Sequence, residues 1–283
     1  MTLRLAAAAA LALAAVPSPA SAALRGYGGA TADGQPIVVG LDARSGRVDR
    51  MNVMFSAKCR SGKGYSFGHR LTRRPGQAAE PEPGQYPLAV KMRRGGRFTA
   101  SAIVFERLSE DRLGGISITF TGRVRGNTVT GTLKAEVTVG PDQSGAEPED
   151  TCAYSKKTFR ARRAPRRILT GETSQSLPVV VELARGARSV KEIDIGWNAG
   201  CEPPGFIQIP DELINFRIRG GRFGDEFDHT VRLDDGTERV FHYDLDGRAN
   251  RRRASGTMDI VMEDRGGSAP GTCRTGAVRW SAR

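Results

Sequence analysis

The chain has 283 residues, 39% hydrophobic and 26% charged, with 43 Lys and Arg against 31 Asp and Glu and a formal net charge of +12. This balance excludes a disordered polyelectrolyte and a polytopic helical membrane protein, and the length allows one or two domains. With 35 glycines, 15 prolines and few long helix-period apolar stretches, the chain is predicted to form many short strands joined by turns.

Arg4 precedes an uninterrupted apolar run from Leu5 to Val16, followed by Pro17, Pro19 and Ala20-Ser21-Ala22. A positive end, a short hydrophobic centre and an A-x-A site predict a secretory signal over residues 1–22. The run is shorter than the roughly 20 residues that span a bilayer. Ala23 rather than Cys follows the expected cut, which argues against a lipid anchor, and no later run reaches membrane length. The expected address is secreted, extracellular or cell-wall associated, with no membrane span. In that oxidising space four cysteines without a C-x-x-C motif read as two disulfides rather than a zinc or redox site.

The chain then repeats itself. An offset of 142 residues superposes Gly29, Thr31, Pro36-Ile37-Val38-Val39 and Leu41 on Gly171, Thr173, Pro178-Val179-Val180-Val181 and Leu183. The same offset carries Val48, Met51, Val53, Phe55, Ala57 and Cys59 onto Val190, Ile193, Ile195, Trp197, Ala199 and Cys201. Gly131-Thr132-Leu133 recurs as Gly256-Thr257-Met258, and Thr151-Cys152, Phe159 and Ala161-Arg162 recur as Thr272-Cys273, Trp280 and Ala282-Arg283. A tandem duplication is the reading, with a β domain over 24–163, a basic linker over 164–167 and a second β domain over 168–283. The stretch Arg160–Arg167, five arginines and a proline, predicts an extended, exposed tether.

Within each unit the apolar residues alternate. Met51, Val53, Phe55, Ala57 and Cys59 share one strand face, as do Ile116, Ile118 and Phe120, and Leu133, Ala135, Val137 and Val139. Phe227, His229, Val231 and Leu233 run into Asp234-Asp235-Gly236, a hairpin signal, and Phe241, Tyr243 and Leu245 return. The predicted fold is all-β: two tandem antiparallel meander barrels or sandwiches of seven to eight strands, one disulfide each. Of the three possible cysteine pairings the repeat selects Cys59–Cys152 and Cys201–Cys273 as structural bridges.

The pattern G-x-T followed by P-[IV]-V-V, a mid-unit Cys, G-T-[LM], and a closing Cys before [FW]-x-A-R resembles a group of uncharacterised secreted β-domain proteins of high-GC actinobacteria. The resemblance covers nearly all of the chain after the leader, and Thr173-Ser174-Gln175 and Trp280 carry it best. It implies a fold and an address but no reaction. The first unit departs from it in the stretch Leu71–Gln85 and in Phe159 at the tryptophan position.

Local motifs for chemistry are weak. Gly64-Tyr65-Ser66-Phe67-Gly68 matches the G-x-S-x-G string, but Pro75 and Gly76 deny it the helix that a nucleophile elbow requires. His229 and His242 would face each other across a two-residue turn, the start of a metal site. A three-residue loop instead sets His229 opposite Phe241, Phe227 opposite Tyr243, Arg232 opposite Glu238, and His242 opposite Asp228 on the outer face, and sheet logic prefers it. The carboxylates Asp225, Glu226, Asp228, Asp234 and Asp235 read as a solvated face, and Asp142–Asp150 as a loop without EF-hand spacing. No catalytic residue, metal ligand or cofactor is assigned.

Charge is the feature with functional content. Lys91, Arg93, Arg94 and Arg97, then Arg162, Arg163, Arg166 and Arg167, then Arg251, Arg252 and Arg253 form clusters suited to a polyanion. No signature of sequence-specific nucleic-acid reading accompanies them. The expected function is a secreted, non-catalytic β-domain protein associated with an anionic cell-envelope or extracellular polymer. The alternatives are a lipocalin-like carrier, opposed by the bulk of Phe55, Phe120, Trp197 and Phe241, and a hydrolase using Ser66 or His229.

Overall fold

The computed structural model describes residues 24–73, 85–108, 112–141, 147–202, 205–233, 236–266 and 271–283. The expected signal, most of the acidic loop after Pro141, and Asp234 and Asp235 lie outside the described residues. The first unit contains β1 (Leu24–Thr31), β2 (Pro36–Asp42), β3 (Val48–Cys59), β4 (Gly64–Thr72), β5 (Gln85–Pro87), β6 (Ala89–Met92), β7 (Arg97–Arg107), β8 (Arg112–Arg125), β9 (Thr128–Pro141) and β10 (Asp150–Arg162). The second contains β11 (Ile168–Thr173), β12 (Pro178–Leu183), β13 (Ser189–Glu202), β14 (Gly205–Arg217), β15 (Arg222–Arg232), β16 (Glu238–Asn250), β17 (Arg253–Arg265), β18 (Thr272–Arg274) and β19 (Val278–Ala282).

Each unit forms one sheet that folds back on its own start. In the first, β10 pairs with β1, Ala161 opposite Gly29, and at its other end with β3, Cys152 opposite Cys59. In the second, that role is divided: β19 pairs with β11, Ala282 opposite Gly171, and β18 pairs with β13, Cys273 opposite Cys201. Both also pair with β17, so β13-β12-β11-β19-β17-β18 is a closed six-stranded barrel. Matched residues keep matched partners, Ile37 opposite Val53 and Val179 opposite Ile195. The expected all-antiparallel meander is broken only by the short parallel pairing of β4 with β5 among the described strands.

Cys59–Cys152 and Cys201–Cys273 are bonded, 93 and 72 residues apart in sequence. On the chain-entropy account, loops of that size each stabilise the fold by about 4–5 kcal/mol. Phe55, Phe67, Phe120, Met51 and Leu133 are fully buried in the first core, and Trp197, Ile193 and Ile195 in the second. Side chains pack into a continuous apolar core in each unit.

One inward row recurs in both units. Across β7-β8-β9-β10 it reads Phe98, Gly122, Gly131, Phe159, and across β15-β16-β17-β19 it reads Phe223, Gly247, Gly256, Trp280. A Cβ on any of the four glycines would overlap the neighbouring aromatic ring. The rings therefore lie over bare backbone, and the G-T-[LM] motif is the trace of that packing.

The units also pack on each other. In β2, β3 and β12 the inward residues enter the cores, while Val38, Met54 and Val180 point the other way and are nonetheless buried, as is Leu177. This explains the unbroken apolar runs Ile37-Val38-Val39 and Val179-Val180-Val181: those strands are covered on both faces. Matched positions meet there, since a Cβ on Gly196 would strike Met54, its counterpart at the 142-residue offset. Asn52 Nδ2 donates to the Ser176 carbonyl (3.1 Å), and Arg70 lies 3.3 Å from Glu172.

The linker differs from the expected tether. The Arg167 and Ile168 amides donate to the Ala164 carbonyl, Arg166 is left-handed (φ 68°), and Arg167 approaches Glu182 at 3.4 Å. Apolar contact between the units draws the ends together, and the carboxylate offsets the arginine repulsion that favoured extension.

Two tests follow from the packing. Gly256→Val and Gly131→Val should each destabilise the protein by roughly 1–3 kcal/mol through overpacking, whereas Gly200→Val, whose Cβ would meet nothing within 4 Å, should cost less than about 0.5 kcal/mol; denaturant unfolding compares them. A specific protease site inserted at Pro165 should yield halves that co-elute natively and part on a denaturing gel without reductant.

Candidate anion-binding face

Strand alternation sends every second residue of β7 to β10 outward, and pairing aligns these residues in rows. One row crosses the sheet as Arg97, Arg123, Thr130 and Arg160. The Arg93 amide donates to the Arg97 carbonyl (2.8 Å), so Arg93 extends the row. The next outward row is Thr99, Thr121, Thr132 and Thr158, and the one beyond it Ser101, Thr119 and Lys134.

The first two rows, with Thr31 of β1, line a shallow groove of about 780 Å³ whose lining includes Arg93, Arg97, Arg123, Arg160 and six threonines, and no Asp or Glu. Thr121 and Thr132 share a hydroxyl hydrogen bond of 2.7 Å, and Arg123 Nε donates to the Gly95 carbonyl (3.0 Å) in the 3-10 turn Arg94–Gly96. Desolvation and the neighbouring Arg125 and Arg97 hold the Arg123 guanidinium below its ordinary value. Like charges opposite each other cost a sheet roughly 0.2–1 kcal/mol per pair. An anion laid on the row relieves that cost, with guanidinium forks and hydroxyls as donors.

The arginines clustered in the sequence do not gather in one place. Arg93 and Arg97 line the groove, and Arg94 sits in the adjoining turn. Arg162 lies in the next outward row, opposite Gly28, and approaches Glu182 at 3.9 Å. Arg163 hydrogen-bonds through its amide to Asn127, and Arg166 and Arg167 belong to the linker turn. Arg251, Arg252 and Arg253 form the β16–β17 hairpin tip in the other unit, where Asn250 Oδ1 accepts from the Arg252 and Arg253 amides. Sequence reasoning passed over Arg123 and the threonine row, because they are far apart in the chain. Outward parity on four successive strands was the available signal.

Charge is divided unequally. Residues 24–163 hold 24 Lys and Arg against 13 Asp and Glu, and residues 168–283 hold 16 against 18. The second unit repeats the arginine pair as Arg222 opposite Arg248; its next outward row is Gly224, Asp246, Thr257 and Arg279, and the row beyond that is acidic, Glu226, Asp244 and Asp259.

Ser66 and Glu106 line a second, smaller cleft between β4 and β14, about 240 Å³, with Gln208 and Phe206. Ser66 Oγ bonds Ser56 Oγ (2.8 Å), and Gln208 Nε2 donates to Glu106 Oε1 (3.0 Å). Burial pushes the Glu106 carboxyl up to about 7 and the enclosed His69 down to about 3. Their atoms are 3.6 Å apart, but between those values both are neutral, so this is not an ion pair. Ser66 sits mid-strand rather than at a strand-to-helix turn. His229 lies opposite Phe241, and His242 Nδ1 is 2.7 Å from Asp228 Oδ1 on the outer face. Among the described residues, the metal-ligating atom types cluster at Cys59, Asp150 and Cys152, whose sulfurs are bonded to each other. No described helix is long and apolar enough to cross a membrane.

No protein-family model matches this sequence, and no curated protein or solved structure matches it either.

Because Glu106 binds its proton more tightly folded than unfolded, its contribution is full below the ordinary carboxyl value near 4.5 and is lost as pH rises toward about 7. Glu106→Gln should therefore gain stability relative to the parent protein across that interval, by up to about 3 kcal/mol, in unfolding curves recorded at several pH values.

Proposed function

We propose that this is a secreted, non-catalytic β-domain protein, built by tandem duplication, that holds an anionic polymer of the cell envelope or extracellular space on the outer face of its first unit. The observation that carries this reading is the groove lined by Arg93, Arg97, Arg123, Arg160 and six threonines with no carboxylate. Its shallowness and its rows running across the strands suit an extended chain of repeating charges rather than a small enclosed ligand. Phe98 and Phe159, the aromatic residues of the groove lining, are turned inward and buried, and the exposed ring of the same face, Phe105, lies outside the groove, so the groove itself offers no ring for base stacking, which argues for a phosphate- or carboxylate-bearing polymer over single-stranded nucleic acid. Two disulfides accord with an oxidising compartment.

The continuous apolar core of each unit weighs against the carrier alternative, and the mid-strand setting of Ser66 weighs against the hydrolase. Purified protein should be retained on isolated cell-wall polymer at low salt and released as salt rises, because the attraction is electrostatic. Arg97→Ala combined with Arg123→Ala and Arg160→Ala should cut retention at least about tenfold, the loss of some 1.4 kcal/mol. Arg251→Ala with Arg252→Ala and Arg253→Ala should change it little. Retention indifferent to salt, or equal losses in the two triple variants, would overturn the assignment of the site.

A further inference from the structure

The matched outer faces of the two units have opposite charge. Where the first carries Ser101, Thr119 and Lys134 in one row, the second carries Glu226, Asp244 and Asp259, and Thr121 is matched by Asp246. Glu226, Asp244 and Asp259 stand directly opposite one another on adjacent strands and are all exposed. The basic face carries the converse load, Arg97 opposite Arg123 with Arg125 beside them. Each arrangement taxes its own sheet by like-charge repulsion, and each is relieved by a surface of the other sign. Both rows sit on antiparallel strands about 4.8 Å apart, so Arg97 and Arg123 stand at the interval of neighbouring carboxylates in the acidic row, and Arg160 follows one strand further on, past Thr130.

We propose that the basic face of β7–β10 docks on the acidic face of β15–β17 in a second copy of this chain, head to tail. Within one chain the units meet mainly through β1 to β4 and β11 to β14, with Glu106–Gln208 and Arg162–Glu182 at the margin, which leaves the rows from Arg97 to Lys134 and from Glu226 to Asp259 turned outward. Such a contact joins unlike surfaces, so each copy keeps one free face and assembly continues as an open row or a ring. Four strands by three outward rows make a face of about 400 Å², the size class of weak, transient contacts. The association is therefore weak and salt-labile. It does not depend on the polymer reading; the two compete for one face.

Sedimentation velocity of the full chain without polymer tests this. At about 20 mM salt the weight-average mass should exceed that of the monomer and grow with concentration, and at about 500 mM it should return to the monomer. Two variants at exposed positions, Arg97→Glu with Arg160→Glu and Asp244→Lys with Asp259→Lys, should each be monomeric at low salt. Mixed in equal amounts they should associate again, since the intact acidic face of one meets the intact basic face of the other and the two reversed faces are also of opposite charge. A wild-type chain that stays monomeric at low salt, association that persists in either variant alone, or a mixture that does not pair would each overturn the proposal. Polymer retention by the Asp244→Lys/Asp259→Lys variant is read separately, so failure of head-to-tail docking is distinguishable from failure of the polymer site.

Discussion

Closure of each sheet on its own beginning is the constraint from which the remaining features follow. It depends on the inward row of aromatic, glycine, glycine, aromatic: Phe98, Gly122, Gly131 and Phe159 in one unit, Phe223, Gly247, Gly256 and Trp280 in the other. Two bare glycines let two rings lie flat over the backbone where any Cβ would lift them away. The last strand can then reach the first, and Gly29 and Gly171 accept it because a side chain there would collide with the carbonyls of Arg160 and Ser281. The disulfides lock the same closure from the far end, between the third strand and the last in the first unit and between the third strand and the last but one in the second.

Once that inward row is set, the outward rows on either side of it are set as well, since alternation leaves no freedom in which residues share a face. The rows flanking Gly122 and Gly131 carry the arginines and threonines of the groove. Their counterparts beside Gly247 and Gly256 keep one arginine pair and turn acidic beyond it. Shared packing inside and divergent charge outside are separable because the two kinds of residue alternate along one strand. The surface can change sign without disturbing the core.

The faces of the molecule thus divide the work. β2, β3 and β12 lose their outward side to the contact between units, where Val38, Met54 and Val180 are buried. The outward rows of β7 to β10 from Arg97 to Lys134, and those of β15 to β17, face away from that contact, while Arg162 at the end of β10 reaches Glu182. At the contact the burial of Glu106 and His69 shifts both toward their neutral forms, as is expected where polar groups are drawn into an apolar seam.

The sequence by itself determined the all-β class, the inward faces of β3, β8 and β9, the cysteine pairing and the register of the β15–β16 hairpin. Each follows from alternation with a period of two and from the 142-residue recurrence, both of which are local or translational properties of the string. Val231, expected on the apolar face of β15, is exposed. Arg123 and the threonine row were not legible in the same way. Arg97, Arg123 and Arg160 are brought onto one row only by the register of three strand pairs, and no interval in the string marks them as neighbours. The packed turn at 164–167 likewise depended on apolar contact between units, a gain that a run of five arginines does not reveal. Composition announced a basic protein, and tertiary pairing decided where the charge stands unopposed.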